Sequence, residues 1–226
     1  MNKLKRLLFG KKRFKNDREL RFWKKLLATK GGIAYWRDLY YQLYCHYLGI
    51  EKRSFEGKVV ADIGCGPHGA IGLFEARRRF GIDPLLDRYT KCFDMTAQGV
   101  EYLSCGAESI SLADGAVDVV VSRNALDHVD DLASVIDEIG RILKPEGEII
   151  LSVNYQEAPT RCEPQVIDDA RLGRLLEGKF SHHIVRRFPK GHDSGIGVAG
   201  QFVYPHEIVT VRGGRLCEER KGQKRV

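Results

Sequence analysis

Val59-Val60-Ala61-Asp62-Ile63-Gly64-Cys65-Gly66-Pro67-His68-Gly69, followed fourteen residues later by Asp83 in Phe80-Gly81-Ile82-Asp83-Pro84, decides the fold. An apolar run ending in a glycine turn, with a carboxylate one strand further on, describes a nucleoside ribose held between two neighbouring parallel strands. Gly64, Gly66 and Gly69 also satisfy the dinucleotide spacing G-x-G-x-x-G. The glycines alone therefore leave two kinds of cofactor open.

Asp62 separates them. A dinucleotide brings its pyrophosphate to bare N–H groups at a helix N-terminus, and an acid two residues before the first glycine opposes that anion. The same acid can receive the cationic amino-acid end of S-adenosylmethionine, which carries no phosphate. Asp83 closes the second strand, where a carboxylate accepts both ribose hydroxyls in bonds of roughly 1.5–3 kcal/mol each. Next come Cys105-Gly106-Ala107-Glu108-Ser109, the apolar run Val117-Asp118-Val119-Val120-Val121, and Leu143-Lys144-Pro145-Glu146-Gly147-Glu148-Ile149-Ile150-Leu151 as helix end, turn and strand.

With these five ordered motifs the chain resembles the class I S-adenosylmethionine-dependent methyltransferases, and among them the small-molecule type that includes the ubiquinone and menaquinone biosynthesis enzymes. The resemblance covers residues 57 to about 155. It implies that Asp62, Gly64 and Gly66 line the methionine end, that Asp83 binds the ribose, and that Ala107 and Glu108 meet adenine. It implies too that Ser122-Arg123-Asn124-Ala125 floors the methionine pocket, with Asn124 a cofactor contact. Two positions depart from the family pattern. His68 stands where a third glycine is usual, which hands the close approach to Gly69, and Gly106 stands where many members carry an adenine-binding aspartate. Glu108 reads equally well as a solvated surface carboxylate.

The chain of 226 residues suits one domain of ordinary size with a short extension at each end. Its six cysteines form no C-x-x-C pair and no metal spacing. They read as reduced thiols of a cytoplasmic protein with no structural metal. No apolar run approaches the ~18 residues of a membrane helix, so the protein reads as soluble or at most peripheral to a membrane.

The net charge of +7 is unevenly placed: residues 1–25 hold eleven Lys and Arg against Asp17 and Glu19, and the remainder of the chain is slightly acidic. This separates a basic N-terminal arm and helical lid, 1–50, from a cofactor-binding domain, 51–212, and a basic tail, 213–226. Leu20, Trp23 and Leu27 fall on one helical face with Lys and Arg around them. Such a helix can dock on the body with its lysines solvated, lie on anionic lipid, or contact RNA. DNA is not expected, because a groove binder would place bases around the pocket.

Helices are expected over 17–29, 33–49, 69–78, 84–93, 130–143 and 166–178, and strands near 58–63, 79–83, 100–104, 117–122, 147–153, 182–188 and 201–211. The alternation means an α/β, Rossmann-like, doubly wound sheet. Seven strands, mostly parallel with a final antiparallel one, follow from the family resemblance. Gly191 to Gly200 reads as a loop.

Methyl transfer from a sulfonium asks the protein mainly to align the acceptor and exclude water. A base is needed only where the acceptor loses a proton. The acceptor pocket belongs beyond the carboxyl ends of strands four and five, which deliver Asn124 to His128 and Asn154 to Glu157. His128 leads as base by position, followed by Asp127 or Tyr155. No Asn/Asp-Pro-Pro-aromatic sequence follows strand four, so no flipped-base pocket is indicated. The expected acceptor is a small polar metabolite methylated on O or N, such as a sugar or cell-surface precursor. Two alternatives are an RNA methyltransferase anchored by its arm and a non-catalytic cofactor-binding module.

Overall fold

A computed structural model describes residues 3–28, 32–96, 98–197 and 203–216. Seven strands form one sheet: β1 (Phe55–Ile63), β2 (Ala76–Ile82), β3 (Glu101–Leu103), β4 (Val117–Arg123), β5 (Leu143–Tyr155), β6 (Phe180–Phe188) and β7 (Glu207–Arg215), in the order β3-β2-β1-β4-β5-β7-β6. The first five run parallel, and β7 is antiparallel to both of its neighbours, β5 and β6. This is the doubly wound α/β sheet expected. The order reverses at β1, whose register pairs Asp62 with Gly81 on one side and Val121 on the other. The crevice beyond the strand ends at that reversal is where a ligand can sit.

Five helices cover the sheet: α1 (Lys3–Leu27), α2 (Gly32–Leu48), α3 (Leu86–Tyr89), α4 (Leu132–Ile142) and α5 (Asp169–Leu176). Leu132, Val135, Ile136, Ile139 and Ile142 form the buried stripe of α4, and Asp131 caps it by accepting from the Ala133 and Ser134 amides. These side chains pack with Val59, Ala61, Ile63, Val120, Ile149 and Leu151 on one face. On the other, Val60, Val119, Val121 and Ile150 meet the rings of α1 and α2. Alternation along each strand assigns every residue to one of the two layers.

The helix expected over 69–78 does not form. The segment makes one 3-10 turn, Ala70–Leu73, and β2 begins at Ala76, three residues ahead of the expected strand start. Two packing facts account for this. A Cβ at Gly72 would lie 1.9 Å from the Gln98 carbonyl oxygen, and α2 occupies the layer instead, with Tyr41 and Tyr44 against Phe74. Likewise only Leu86–Tyr89 of the expected 84–93 helix is helical. β7 continues to Arg215, past the boundary expected at 212, and residues 217–226 of the tail lie outside the described residues. So do residues 198–202, which include the end of the Gly191–Gly200 loop and the start of the strand expected from 201.

Candidate functional site

The glycine turn leaves β1 with Gly64 at φ 74° and Gly66 at φ 57°. Both positions also need the missing side chain: a Cβ on Gly64 would stand 2.2 Å from Ala125 Cβ, and one on Gly66 2.9 Å from the Trp23 ring. The Gly66 amide donates to Asp83 Oδ2 (3.2 Å) and the Leu85 amide to Asp83 Oδ1 (2.9 Å). Burial nonetheless pushes the Asp83 carboxyl up to about 6, the two amides pulling the other way. Asp83 thus ties the end of β2 to the glycine turn and is held in a fixed orientation on the cavity wall.

That cavity, of about 500 Å³, is lined by Gly64, Gly66, Asp83, Ala107, Glu108, Asn124 and His128 among the expected site residues. Glu108 is anchored rather than solvated, accepting from the amides of Asp130 (2.8 Å) and Asp131 (3.4 Å). Asn124 sits at φ 53° and accepts from the Asn154 amide. The His128 carbonyl accepts from Lys15 Nζ at 2.6 Å.

Three expected residues stand elsewhere. Asp62 is wholly buried behind the wall, and both of its oxygens lie within hydrogen-bonding reach of the Tyr44 hydroxyl, which donates to them at 2.9 and 3.1 Å. Burial pushes its carboxyl up to about 8, against the pull of Tyr44 and Arg123. Asp127 is buried below His128, its Oδ1 3.9 Å from His128 Nε2. Tyr155 is corrected outright. It faces the α5 side of the sheet and donates to Asp169 at 2.8 Å, because it follows Asn154 and strand alternation sends the two to opposite faces. Gly69 does not inherit the close approach to the cavity either. A Cβ there would strike Gln98.

The wall also contains residues to which the motifs gave no role. His68 is buried and stacks on Tyr40 with centroids 4.1 Å apart, and burial, aided by Arg123, drives its pKa down to about 3, so the ring is neutral. Phe22, Trp23 and Leu26 of α1 roof the cavity. The roof is tied at both lips: Lys15 to Asp130 (2.9 Å) and Asp17 to Arg88 (2.7 Å). The only signal for it in the sequence was the apolar face through Trp23, which does not say what it covers.

The donor set fits S-adenosylmethionine. A pyrophosphate needs a helix N-terminus after the glycine turn, and here one four-residue 3-10 turn follows instead. The oriented carboxylate of Asp83 and the narrow glycine cradle suit a ribose. The Methyltransferase domain family model matches residues 61–151, from the middle of β1 to the middle of β5. Residues 61–151 therefore carry a methyltransferase domain similar to those of the class I S-adenosylmethionine-dependent methyltransferases. An uncharacterized methyltransferase of Mycobacterium sp. (strain JLS) is 33% identical over 106 residues, 46% of this chain and 41% of its own length. The ubiquinone biosynthesis O-methyltransferase of Haemophilus ducreyi is 27% identical over 78% of this chain and 73% of its own. Among solved structures, the 1,6-didemethyltoxoflavin-N1-methyltransferase of Burkholderia thailandensis, bound to 1,6-didemethyltoxoflavin and S-adenosylhomocysteine, aligns with a TM-score of 0.53 at 17% identity, covering 78% of this chain and 76% of that one. The chain thus spans about two fifths of the length of its Mycobacterium relative and about three quarters of the other two chains.

Among its described residues no helix is long and apolar enough to cross a membrane.

Proposed function

We propose that this methyltransferase moves the methyl group of S-adenosylmethionine to the oxygen or nitrogen of a small polar metabolite. The observation that carries the reading is the roof. With α1 across part of the cleft, cofactor and acceptor would share a partly covered space of about 500 Å³, a size suited to small molecules. An RNA strand would meet Phe22, Trp23 and Leu26 before it met the glycine turn.

Gly64, Gly66, Asp83, Ala107, Glu108 and Asn124 would hold the cofactor, which supplies an electrophilic methyl when bound. The protein's own contribution is placement, dryness and a proton acceptor. Buried rings of Trp23, Tyr40 and Tyr44 keep water from the centre of the cleft. His128, with about a quarter of its side chain exposed, stands on the cavity wall at the end of β4 and takes the proton from an acceptor hydroxyl or amine. Asp127 lies beneath it, with Oδ1 3.9 Å from His128 Nε2. The arm's contact with anionic lipid or RNA belongs to a different stretch of the same helix, the lysines and arginines at 3, 5, 6, 11, 12 and 13, and stands as a separate proposal about location.

The test is transfer of labelled methyl into a fractionated cell extract. Label should enter the small-molecule fraction, and His128→Gln should slow it by about 10²–10⁴-fold with little change in cofactor affinity. Label confined to RNA would reject the small acceptor.

A further inference from the structure

Arg123 closes β4 with its side chain on the cavity wall and is only 7% exposed. Tyrosine rings surround its guanidinium, Tyr47 at 5.2 Å, Tyr40 at 5.5 Å and Tyr204 at 5.6 Å to their centroids. One terminal nitrogen donates to the Tyr204 hydroxyl, while Nε is buried without an acceptor. Among the described residues no carboxylate forms an ion pair with it. Cation–π contact offsets part of the desolvation of such a charge, but a buried guanidinium ordinarily has an anion. The nearby carboxyl that could serve, Asp62, is tied to Tyr44 and is largely protonated at neutral pH, since burial lifts its pKa to about 8.

The sheet order decides which ligand brings the missing charge. Asp83, Ala107 and Glu108, which mark the nucleoside, follow β2 and β3, on one side of β1. Arg123 ends β4 on the opposite side, and Tyr204 reaches it from the approach to β7, further in the same direction. His128, five residues beyond Arg123, lines the same cavity. Resting on the methyltransferase reading above, we propose that Arg123, in its cage of Tyr40, Tyr47 and Tyr204, receives an oxyanion of the methyl acceptor. The substrates are then small acids, carboxylate or phosphate, whose methylated atom lies within reach of His128. A planar acid would suit the aromatic walls best.

Benzoate and phenyl phosphate serve as probes, with benzamide as the neutral counterpart of benzoate. They are titrated calorimetrically into protein saturated with S-adenosylhomocysteine, using wild type, Arg123→Gln and Arg123→Lys. Both oxyanions should bind wild type about tenfold or more tighter than benzamide, weaken about tenfold in Arg123→Gln and recover partly in Arg123→Lys, as expected for charge-assisted bonds. S-adenosylhomocysteine affinity is measured alongside in all three. The lysine variant, which keeps the charge, separates lost recognition from a poorly folded glutamine variant. Two results overturn the proposal. One is equal binding of charged and neutral probes, or of oxyanions to Arg123→Gln and wild type. The other is loss of S-adenosylhomocysteine binding in Arg123→Gln while 5′-methylthioadenosine, which lacks the amino acid, binds unchanged, for then Arg123 holds the cofactor's own carboxylate. Failure of wild type to bind S-adenosylhomocysteine at all would reject the methyltransferase reading instead, and the same probes on cofactor-free protein would still decide the role of Arg123.

Discussion

The two faces of the sheet are built from different side chains. Under α4 and α5 the buried set is almost entirely aliphatic, with Val135, Ile136, Ile139 and Ile142 against Val120, Ile149 and Leu151. Under α1 and α2 it is aromatic, with Trp23, Tyr40, Tyr44 and Tyr47, and Asp62, His68, Arg123 and Asn154 are buried among the rings. Branched aliphatic chains interlock by shape and leave no voids. Rings that must also satisfy buried polar groups cannot close as completely, and the cavity lies on their side. Stability and chemistry are therefore divided between the faces, which makes the division testable by mutation.

The largest effect belongs to the aliphatic face. Ile139→Ala should cost about 3 kcal/mol of unfolding free energy, within the usual 2–5 for such truncations, measured by urea denaturation, and leave S-adenosylhomocysteine affinity unchanged by calorimetry. A parallel loss of cofactor affinity would dissolve the division. Asp83→Ala reverses the pattern: cofactor affinity falls by about 1.5–3 kcal/mol with the lost charge-assisted bonds, while the denaturation midpoint barely moves. Equal affinity in the variant would put the ribose elsewhere.

Asp62 sharpens the comparison through pH. Its carboxyl has a pKa of about 8 when folded, against an ordinary value of 3.8, so between about pH 4 and pH 8 the folded protein holds a proton that the unfolded chain has released. Stability attributable to Asp62 is greatest below that window and is lost as pH rises through it. Asp62→Asn should flatten the stability–pH curve there, gaining on the order of 2 kcal/mol on wild type at pH 8. Curves that stay parallel would show that Tyr44 keeps the carboxylate ionised. The smallest effect on cofactor affinity is at the arm. Removing residues 1–13 should leave cofactor affinity as it is and weaken binding to anionic vesicles, at roughly 1 kcal/mol per lysine or arginine near the surface. Removing residues 1–28 takes Trp23 from over Gly66 and should weaken cofactor binding clearly. An undiminished affinity there would make the roof ornamental.

Legibility followed the range of the contacts. The glycine turn, Asp83, Ala107 and Asn124 lie where short motifs put them, because each sits at the end of a strand whose apolar run is visible locally. The 69–78 helix was misread because Ala70, Ile71, Leu73 and Phe74 have helical spacing, and nothing nearby reveals that α2 already fills the layer. Tyr155 was expected in the loop beyond a strand ending at 153, but β5 runs on to Tyr155 and strand alternation sends it to the face opposite Asn154. The cage around Arg123 joins α2, β4 and the approach to β7, segments more than 150 residues apart in sequence between Tyr47 and Tyr204. No local pattern could announce it. The arm was likewise read by its charge, while its apolar side turned out to be the roof.

The ties that hold that roof set a clock. Lys15–Asp130 and Asp17–Arg88 are at least partly open to solvent, and exposed pairs of this kind contribute only about 0.2–1 kcal/mol each. If a nucleoside beneath α1 leaves by way of that helix, the residence time of spent cofactor is tied to how often those two pairs let go. Raising ionic strength screens them and should quicken product departure, more than it alters equilibrium affinity. Turnover in this protein would then be limited by a hinge at the lip of the cleft, and would speed up in salt where a charge-guided enzyme slows down.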